Sequence, residues 1–144
     1  ELAVPVLNLY KEKFQPSKYY KEPKSMMSIG VFVAETEEEA RYIAEPSILM
    51  WTMLATGRRF NSFPTSRAAN DYRYSTQEKA VRELQMNKFV IGTPNQVAER
   101  LTRWTDETGV DEIIIADSYP DIKSRKKAYK LLAKEMGLSA TTVS

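Results

Sequence analysis

The chain of 144 residues has no cysteine and no histidine. Without cysteine there is no disulfide, no thiolate nucleophile and no cysteine-held metal, which fits a reducing compartment and leads us to expect a cytoplasmic protein. Without histidine the usual general base, the commonest metal ligand and every Ser-His-Asp triad are excluded. Any catalysis must use carboxylates, lysine, tyrosine or a bound cofactor, and no metal site is expected. Long apolar runs are also missing: none approaches the ~20 residues of a membrane span. Charge of one sign is not in excess. The 21 basic and 19 acidic residues leave a net +2, so neither nucleic acid nor an anionic membrane is expected as a partner. An initiating Met is absent as well. The opening "ELAVPVLNLYKEKF" reads as the interior of a helix, with Leu2, Val6, Leu9 and Tyr10 near helical spacing and Pro5 in a tolerated first turn. The expectation is a fragment of something longer.

What is present is ordinary for one soluble domain: 42% hydrophobic and 28% charged residues. In "MMSIGVFVAET", Met27, Ile29, Val31 and Val33 share one face and Ser28, Gly30, Phe32 and Ala34 the other. Both faces lack charge, which predicts a parallel strand covered on both sides. Thr36 to Glu39 has a capping-box pattern and opens a helix with Ala40, Ile43, Ala44, Ile48, Trp51 and Leu54 near one face. Pro46 is expected to kink or split that helix, and Gly57 to end it. Residues 57–75 show no period. Ser75 to Glu78 repeats the capping box before a helix reaching about Asn87. "KFVIGT" predicts a short strand, Thr93-Pro94 the start of a helix buried through Val97, Leu101 and Trp104, and "DEIIIADSY" a strand of β-branched residues. The last helix, about 121–136, turns Ala128, Leu131, Leu132 and Met136 inward and most of its lysines outward. Alternating strands and helices predict an α/β fold with parallel strands and right-handed crossovers. Three such strands leave two bare edges, so half of a larger sheet is expected.

The segments "YKEKFQPS", "VAETEEEA", "VIGTPNQVAERLTRWTDETGVDEIII" and "RKKAYKLLAKEMG" together resemble the bacterial luciferase-like flavin-dependent monooxygenases, specifically their C-terminal half. The resemblance runs from about Tyr10 to Gly137. It implies the C-terminal half of a TIM-type (β/α)8 barrel, from helix 5 to helix 8, with residues 1–144 as a single domain or fragment carrying an insertion at about 57–88. A full barrel needs about 250 residues. The resemblance further implies reduced FMN, or a deazaflavin, using O2 to oxidise a small organic substrate such as an aldehyde or a sulfonate, with a flavin reductase supplying the reduced cofactor. The flavin and any catalytic histidine would belong mostly to the N-terminal half. No catalytic residue transfers to this chain, which is expected to be inactive alone and to bind no flavin tightly. Its partner would be the missing half-barrel, or another copy through the sheet edges. A non-enzymatic, degenerate member acting as a scaffold is the alternative.

Four constellations invite a function. Gly92-Thr93-Pro94 has the outline of a phosphate loop, but Pro94 removes a donor and Thr93 is expected to cap the helix, so a plain strand-to-helix turn competes. Arg58, Arg59, Arg67 and Arg73 alternate with Phe60, Phe63, Tyr72 and Tyr74. This segment reads as a lid or border of a substrate mouth, in which Arg58, Arg59 and Phe60 would take part, as a solvated loop with locally packed aromatics, or as a nucleic-acid surface. The acids Glu35, Glu37, Glu38 and Glu39 suit helix capping and the helix dipole better than a metal. Asp117, Ser118 and Tyr119 follow the last strand. In a barrel Ser118 and Tyr119 would line the active-site end, with Tyr119 donating a hydrogen bond; the competing reading is a turn in which Asp121 caps the final helix.

Overall fold

A computed structural model describes residues 3–59 and 61–138. These form helix α1 (Ala3–Lys13), strand β1 (Met26–Val33), helices α2 (Glu37–Ala55), α3 (Ser66–Asn70) and α4 (Thr76–Met86), strand β2 (Phe89–Gly92), helix α5 (Pro94–Thr108), strand β3 (Glu112–Ala116) and helix α6 (Ile122–Glu135). The fold is α/β with a three-stranded parallel sheet. Every strand–helix unit foreseen from the residue pattern is present. The unforeseen element is α3, five residues within the aperiodic segment, capped by the Thr65 hydroxyl accepting from the Ala68 N–H.

The strand order is β2-β1-β3, whereas three consecutive barrel strands would run β1-β2-β3. β1 pairs with β3 through Met26–Gly30 and with β2 through Gly30–Val33. Crossover handedness accounts for the placement of the helices. The chain leaves β1 for one edge by way of α2 and returns across β1 to the other edge by way of α5. Two right-handed crossovers in opposite directions must lie on opposite faces. Accordingly, Ile29, Val31, Val33 and Val90 pack with Val97, Leu101, Ala128 and Leu132 of α5 and α6. On the other face, Phe32, Phe89 and Ile91 pack with Ala40, Ile43, Ala44 and Ile48 of α2. The period-two pattern of β1 is therefore realised on both faces. The cover is incomplete, however: Met26 (63%) and Ile114 (43%) stay exposed on the α2 side of the sheet.

Gly30 is where the two pairings meet. It lies opposite Phe89 on one side and Ala116 on the other, and a Cβ built on it would stand 2.3 Å from the Phe89 ring. Only glycine lets that ring cross the strand.

Local expectations are corrected at Pro46 and at Met136. Pro46 does not split α2, which continues from Glu37 to Ala55 with Pro46 buried inside it. Met136, expected inward, is exposed, and so are Trp51 and Leu54 on the apolar face of α2; Val6, Leu9 and Tyr10, at helical spacing in α1, are exposed as well. These apolar side chains sit beyond the three short strands, which are too few to cover them; Leu2 lies outside the described residues.

Two carboxylates join segments distant in sequence. Asp111 accepts from Lys24 Nζ and from the Ser25 N–H, both at 2.9 Å, and these bonds, the lysine's first, hold its pKa down at about 2. Glu78 accepts from the Ser75 N–H, Arg58 and Tyr72, and these hold it at about 2 as well. Both native values lie below the ordinary 3.8 and 4.5, so the stability they contribute is complete above those ordinary values and is lost as pH falls toward 2. Thermal unfolding followed by circular dichroism should show a melting temperature that falls between about pH 4.5 and 2. Glu78→Gln should start lower and fall less steeply; an unchanged slope would remove Glu78 from this account.

Candidate functional site at the carboxyl ends of the strands

In open parallel sheets, ligands favour the crevice outside the carboxyl ends of two adjacent strands whose following connections go to opposite faces. β1 and β3 are such a pair: β1 leads to α2 on one face and β3 to α6 on the other. The residues at this point are Ala34, Glu35 and Thr36 after β1 and Asp117, Ser118 and Tyr119 after β3.

Tyr119 fills the crevice. Its ring packs on Phe32 at 5.1 Å between centroids, and its hydroxyl accepts from the Val33 N–H at 2.9 Å. Burial pushes the phenol up to about 12. Toward Val33 Tyr119 is thus an acceptor, where a donor to a ligand was anticipated; it satisfies the strand's last amide and joins the two hydrophobic clusters. Tyr119→Phe should cost about 1–3 kcal/mol in denaturant unfolding, because the Val33 N–H is left without its partner. A loss under about 0.5 kcal/mol would mean that water replaces the hydroxyl.

The loop around Tyr119 is held from both flanks. Asp117 accepts from Arg125 Nε at 2.8 Å and from the Tyr129 hydroxyl. Burial pushes its carboxyl up, but Tyr129 and Arg125 outweigh this and leave it below the usual range. The Ser118 carbonyl accepts from Ser47 Oγ of α2 at 3.1 Å. The Ser118 side chain is exposed, on the border of a groove of about 300 Å³ whose lining includes Ser28, Gly30, Trp51, Phe89 and Ala116. Asp121 caps α6 by accepting from the Ser124 N–H at 2.8 Å. In this turn Asp121 caps the helix and Ser118 borders the groove.

The helix starts beside the strand ends are closed by their own side chains. At α5, Thr93 Oγ1 accepts from the Gln96 N–H and Gln96 Oε1 accepts from the Thr93 N–H. Gln96 also fills the space over Gly92, where a Cβ would lie 2.6 Å from Oε1. The turn that has the outline of a phosphate loop is a capping box. At α2, Thr36 accepts from the Glu39 N–H, but the box is not reciprocal: Glu39 and Glu35 bind Lys127 of α6 instead, and Glu37 binds Arg41. Three of the four acids, Glu35, Glu37 and Glu39, are thus in ion pairs.

The arginine–aromatic segment folds onto α2 and α4. Arg58 donates to Glu78 at 2.7 Å and to the Tyr72 hydroxyl at 2.5 Å, and Tyr72 meets Tyr74 edge to face at 4.9 Å. Tyr74 in turn donates to Glu45, whose two oxygens accept from Arg82. Burial and Glu45 push the Tyr74 phenol up. The Glu45–Arg82–Tyr74 cluster was not foreseen. Its only sequence signal is a glutamate amid the apolar residues of α2. Arg59 is exposed and Phe60 lies outside the described residues. Among the described residues, no hydrogen bond or ion pair joins Arg58 or Arg59 to Ser118 or Tyr119.

Among the described residues, no helix is long and apolar enough to cross a membrane. No family model matches the chain. Three Bacillus subtilis (strain 168) proteins, all uncharacterized, are similar to it. YceB is 30% identical over 127 residues, 88% of this chain and 38% of its own length. YvbT is 27% identical over 91% of this chain and 39% of its own length. YwcH is 28% identical over 85% of this chain and 37% of its own length. The chain thus spans about two fifths of these relatives. Among solved structures, apo-MsnO8 superposes with a TM-score of 0.79 at 24% identity, over 96% of this chain and 42% of that one. The chain shares the fold of that portion of apo-MsnO8.

Proposed function

We propose that the chain is the C-terminal half of a TIM-type barrel from a luciferase-like flavin-dependent monooxygenase. The observation that carries this reading is where the resembling segments fall. "VAETEEEA" joins β1 to α2, "VIGTPNQVAERLTRWTDETGVDEIII" is β2–α5–β3, and "RKKAYKLLAKEMG" is α6 with its end. Three of the four segments that carry the resemblance fall on the strand–helix units of the fold, and the fourth, "YKEKFQPS", on the end of α1 and the loop after it. The strand order β2-β1-β3 departs from the sequential order of barrel strands, so the half-barrel in this reading rests on the resemblance and not on the pairing. The fold shared with part of apo-MsnO8 and the two-fifths coverage of longer relatives support it.

The described residues do not fit a flavin phosphate. α2, α5 and α6 are each capped by their own side chains, and α2 adds Glu37, Glu38 and Glu39 in its first turn. The remainder of the parent protein therefore holds reduced FMN, or a deazaflavin, supplied by a reductase in the cytoplasm. This chain contributes one wall, where Ser118 stands exposed beside the groove, and Tyr119 keeps that wall rigid. The parent reaction is oxygen transfer from O2 to a small organic substrate of the aldehyde or sulfonate kind; this chain alone is inactive.

The test supplies reduced FMN, isotopically labelled O2 and a panel of long-chain aldehydes and alkanesulfonates. The chain is assayed alone and together with the portion of YceB outside its matched segment. Labelled product from the pair and none from the chain alone is expected. No labelled product from the pair, with assembly intact, would favour the non-enzymatic scaffold.

A further inference from the structure

Three successive residues after β3 are fixed to three different parts of the fold. Asp117 is held by Arg125 and Tyr129 of α6, the Ser118 carbonyl by Ser47 of α2, and the Tyr119 hydroxyl by the Val33 amide of β1. Within this clamp the Ser118 hydroxyl is left over. Its side chain is exposed at the border of the groove of about 300 Å³, and among the described residues nothing hydrogen-bonds to it. That groove is lined by Ile29, Trp51, Phe89 and Ala116, and its charged residue is Lys88. Lys88 donates to the Gln85 side-chain oxygen at 2.9 Å and pairs with no carboxylate among the described residues, so the groove carries an uncompensated positive charge.

Ser47 departs from the other buried hydroxyls. A hydroxyl inside a helix ordinarily turns back to the carbonyl four residues earlier. Thr52, Thr105 and Thr108 do so, at 2.7, 2.9 and 2.6 Å. Ser47, 0% exposed, reaches instead to the Ser118 carbonyl at 3.1 Å, 71 residues away. Its helix is anchored just before it. Glu45 is bound by Arg82 and Tyr74, and Asn70 Nδ2 donates at 3.0 Å to the Tyr42 carbonyl, the one that Pro46 leaves without a helical donor. The Ser47 hydroxyl thus stands on a fixed support.

We infer that the Ser118 hydroxyl donates to the oxyanion head of an unbranched alkyl ligand lying in this groove, and that Ser47 is the positioning residue that fixes the backbone carrying that hydroxyl. The apolar lining takes the chain, and the charge of Lys88 favours an anionic head over a neutral one. A binding group works only when its neighbours hold it to within about 0.5 Å. Ser47 supplies that hold from inside a helix, where it touches no ligand. The inference rests on the reading of this end of the sheet as a substrate wall, but not on the flavin.

The probe is hexanesulfonate, titrated into the isotopically labelled 144-residue chain and followed by NMR chemical shifts. Shifts are expected at Gly30, the Trp51 indole and Ser118. 1-Hexanol, with the same chain and no charge, should bind more weakly. Ser118→Ala should weaken hexanesulfonate binding about tenfold, the usual worth of one hydrogen bond to a charged group. Ser47→Ala should weaken it about threefold, since the Ser118 hydroxyl is displaced but not lost. Thr52→Val removes a buried hydroxyl that bonds within the same helix. It should cost stability and leave binding unchanged; circular dichroism checks the fold of each variant. No shifts in the groove, equal binding of hexanol, unchanged binding by Ser118→Ala, or equal effects of Ser47→Ala and Thr52→Val would overturn the inference. The titration uses no flavin, which keeps the two proposals apart. Probe binding that Ser118→Ala and Ser47→Ala weaken, beside a pair that binds no FMN, leaves both serines their roles and removes the flavin reading. Turnover by the pair with no probe binding by the chain does the reverse.

Discussion

Arg82→Ala should lower the unfolding free energy by about 3–5 kcal/mol, the usual cost of removing one partner of a buried ion pair. The Glu45 carboxylate is buried in α2, with a side-chain exposure of 8%, and Arg82 from α4 reaches it at 25% exposure. The pairing is a two-point fork: Nε to Oε1 at 2.9 Å and Nη2 to Oε2 at 2.6 Å. Tyr74 donates to the same Oε1 at 2.8 Å, and its ring lies 5.5 Å from the guanidinium carbon. Without Arg82, Glu45 keeps a single neutral donor in a site from which water is largely excluded. For a domain of this length the loss corresponds to a fall of roughly 10 °C in melting temperature. The double replacement Glu45→Leu with Arg82→Leu should recover much of it, since the uncompensated charge goes too. A loss below about 1 kcal/mol for Arg82→Ala would place the pair with exposed salt bridges. The insertion would then be only loosely seated on α2.

Phe32→Ala should cost about 3–5 kcal/mol. Phe32 is 1% exposed and sits where β1, β2, α2 and the loop after β3 converge. Its ring meets Phe89 at 5.5 Å and Tyr119 at 5.1 Å, both tilted toward edge contact. Deleting it opens a cavity that its neighbours can collapse into only by giving up other contacts: Phe89 is pinned over Gly30, and Tyr119 is held by the Val33 amide. Chemical denaturation measures the loss, and near-ultraviolet circular dichroism should lose aromatic signal as Tyr119 loosens. Phe32→Leu should restore part of the stability. If Phe32→Ala cost under about 1.5 kcal/mol, as a volume-conserving swap does, Phe32 would not be the centre of this cluster.

The residue pattern revealed the elements better than their arrangement. Period-two alternation in β1 and the caps at Thr36, Ser75, Thr93 and Asp121 are local signals, and each is realised as a strand or a helix start. Strand order is not local. It depends on the chain between α2 and β2 landing on the far edge of β1, and the only trace of this in the sequence is the glycine at position 30 that lets Phe89 cross. The exposure of Met136, and of Trp51 and Leu54 at the end of α2, has the same origin: helical spacing tells which residues share a face, not whether anything lies opposite. At the candidate site, the position of Ser118 and Tyr119 directly after β3 was legible, because the strand before them is a local signal. The turning of Tyr119 toward Val33 was not, because its partner is a backbone amide 86 residues away.

The central claim is that this chain is a wall of a flavin enzyme whose flavin is held by the remainder of the parent. FMN fluorescence titration tests it most directly, with the 144-residue chain alone and then with the YceB portion outside the matched segment. The account predicts no quenching by the chain alone and saturable quenching by the pair. Saturable quenching by the chain alone, or a pair that assembles without quenching, would contradict it.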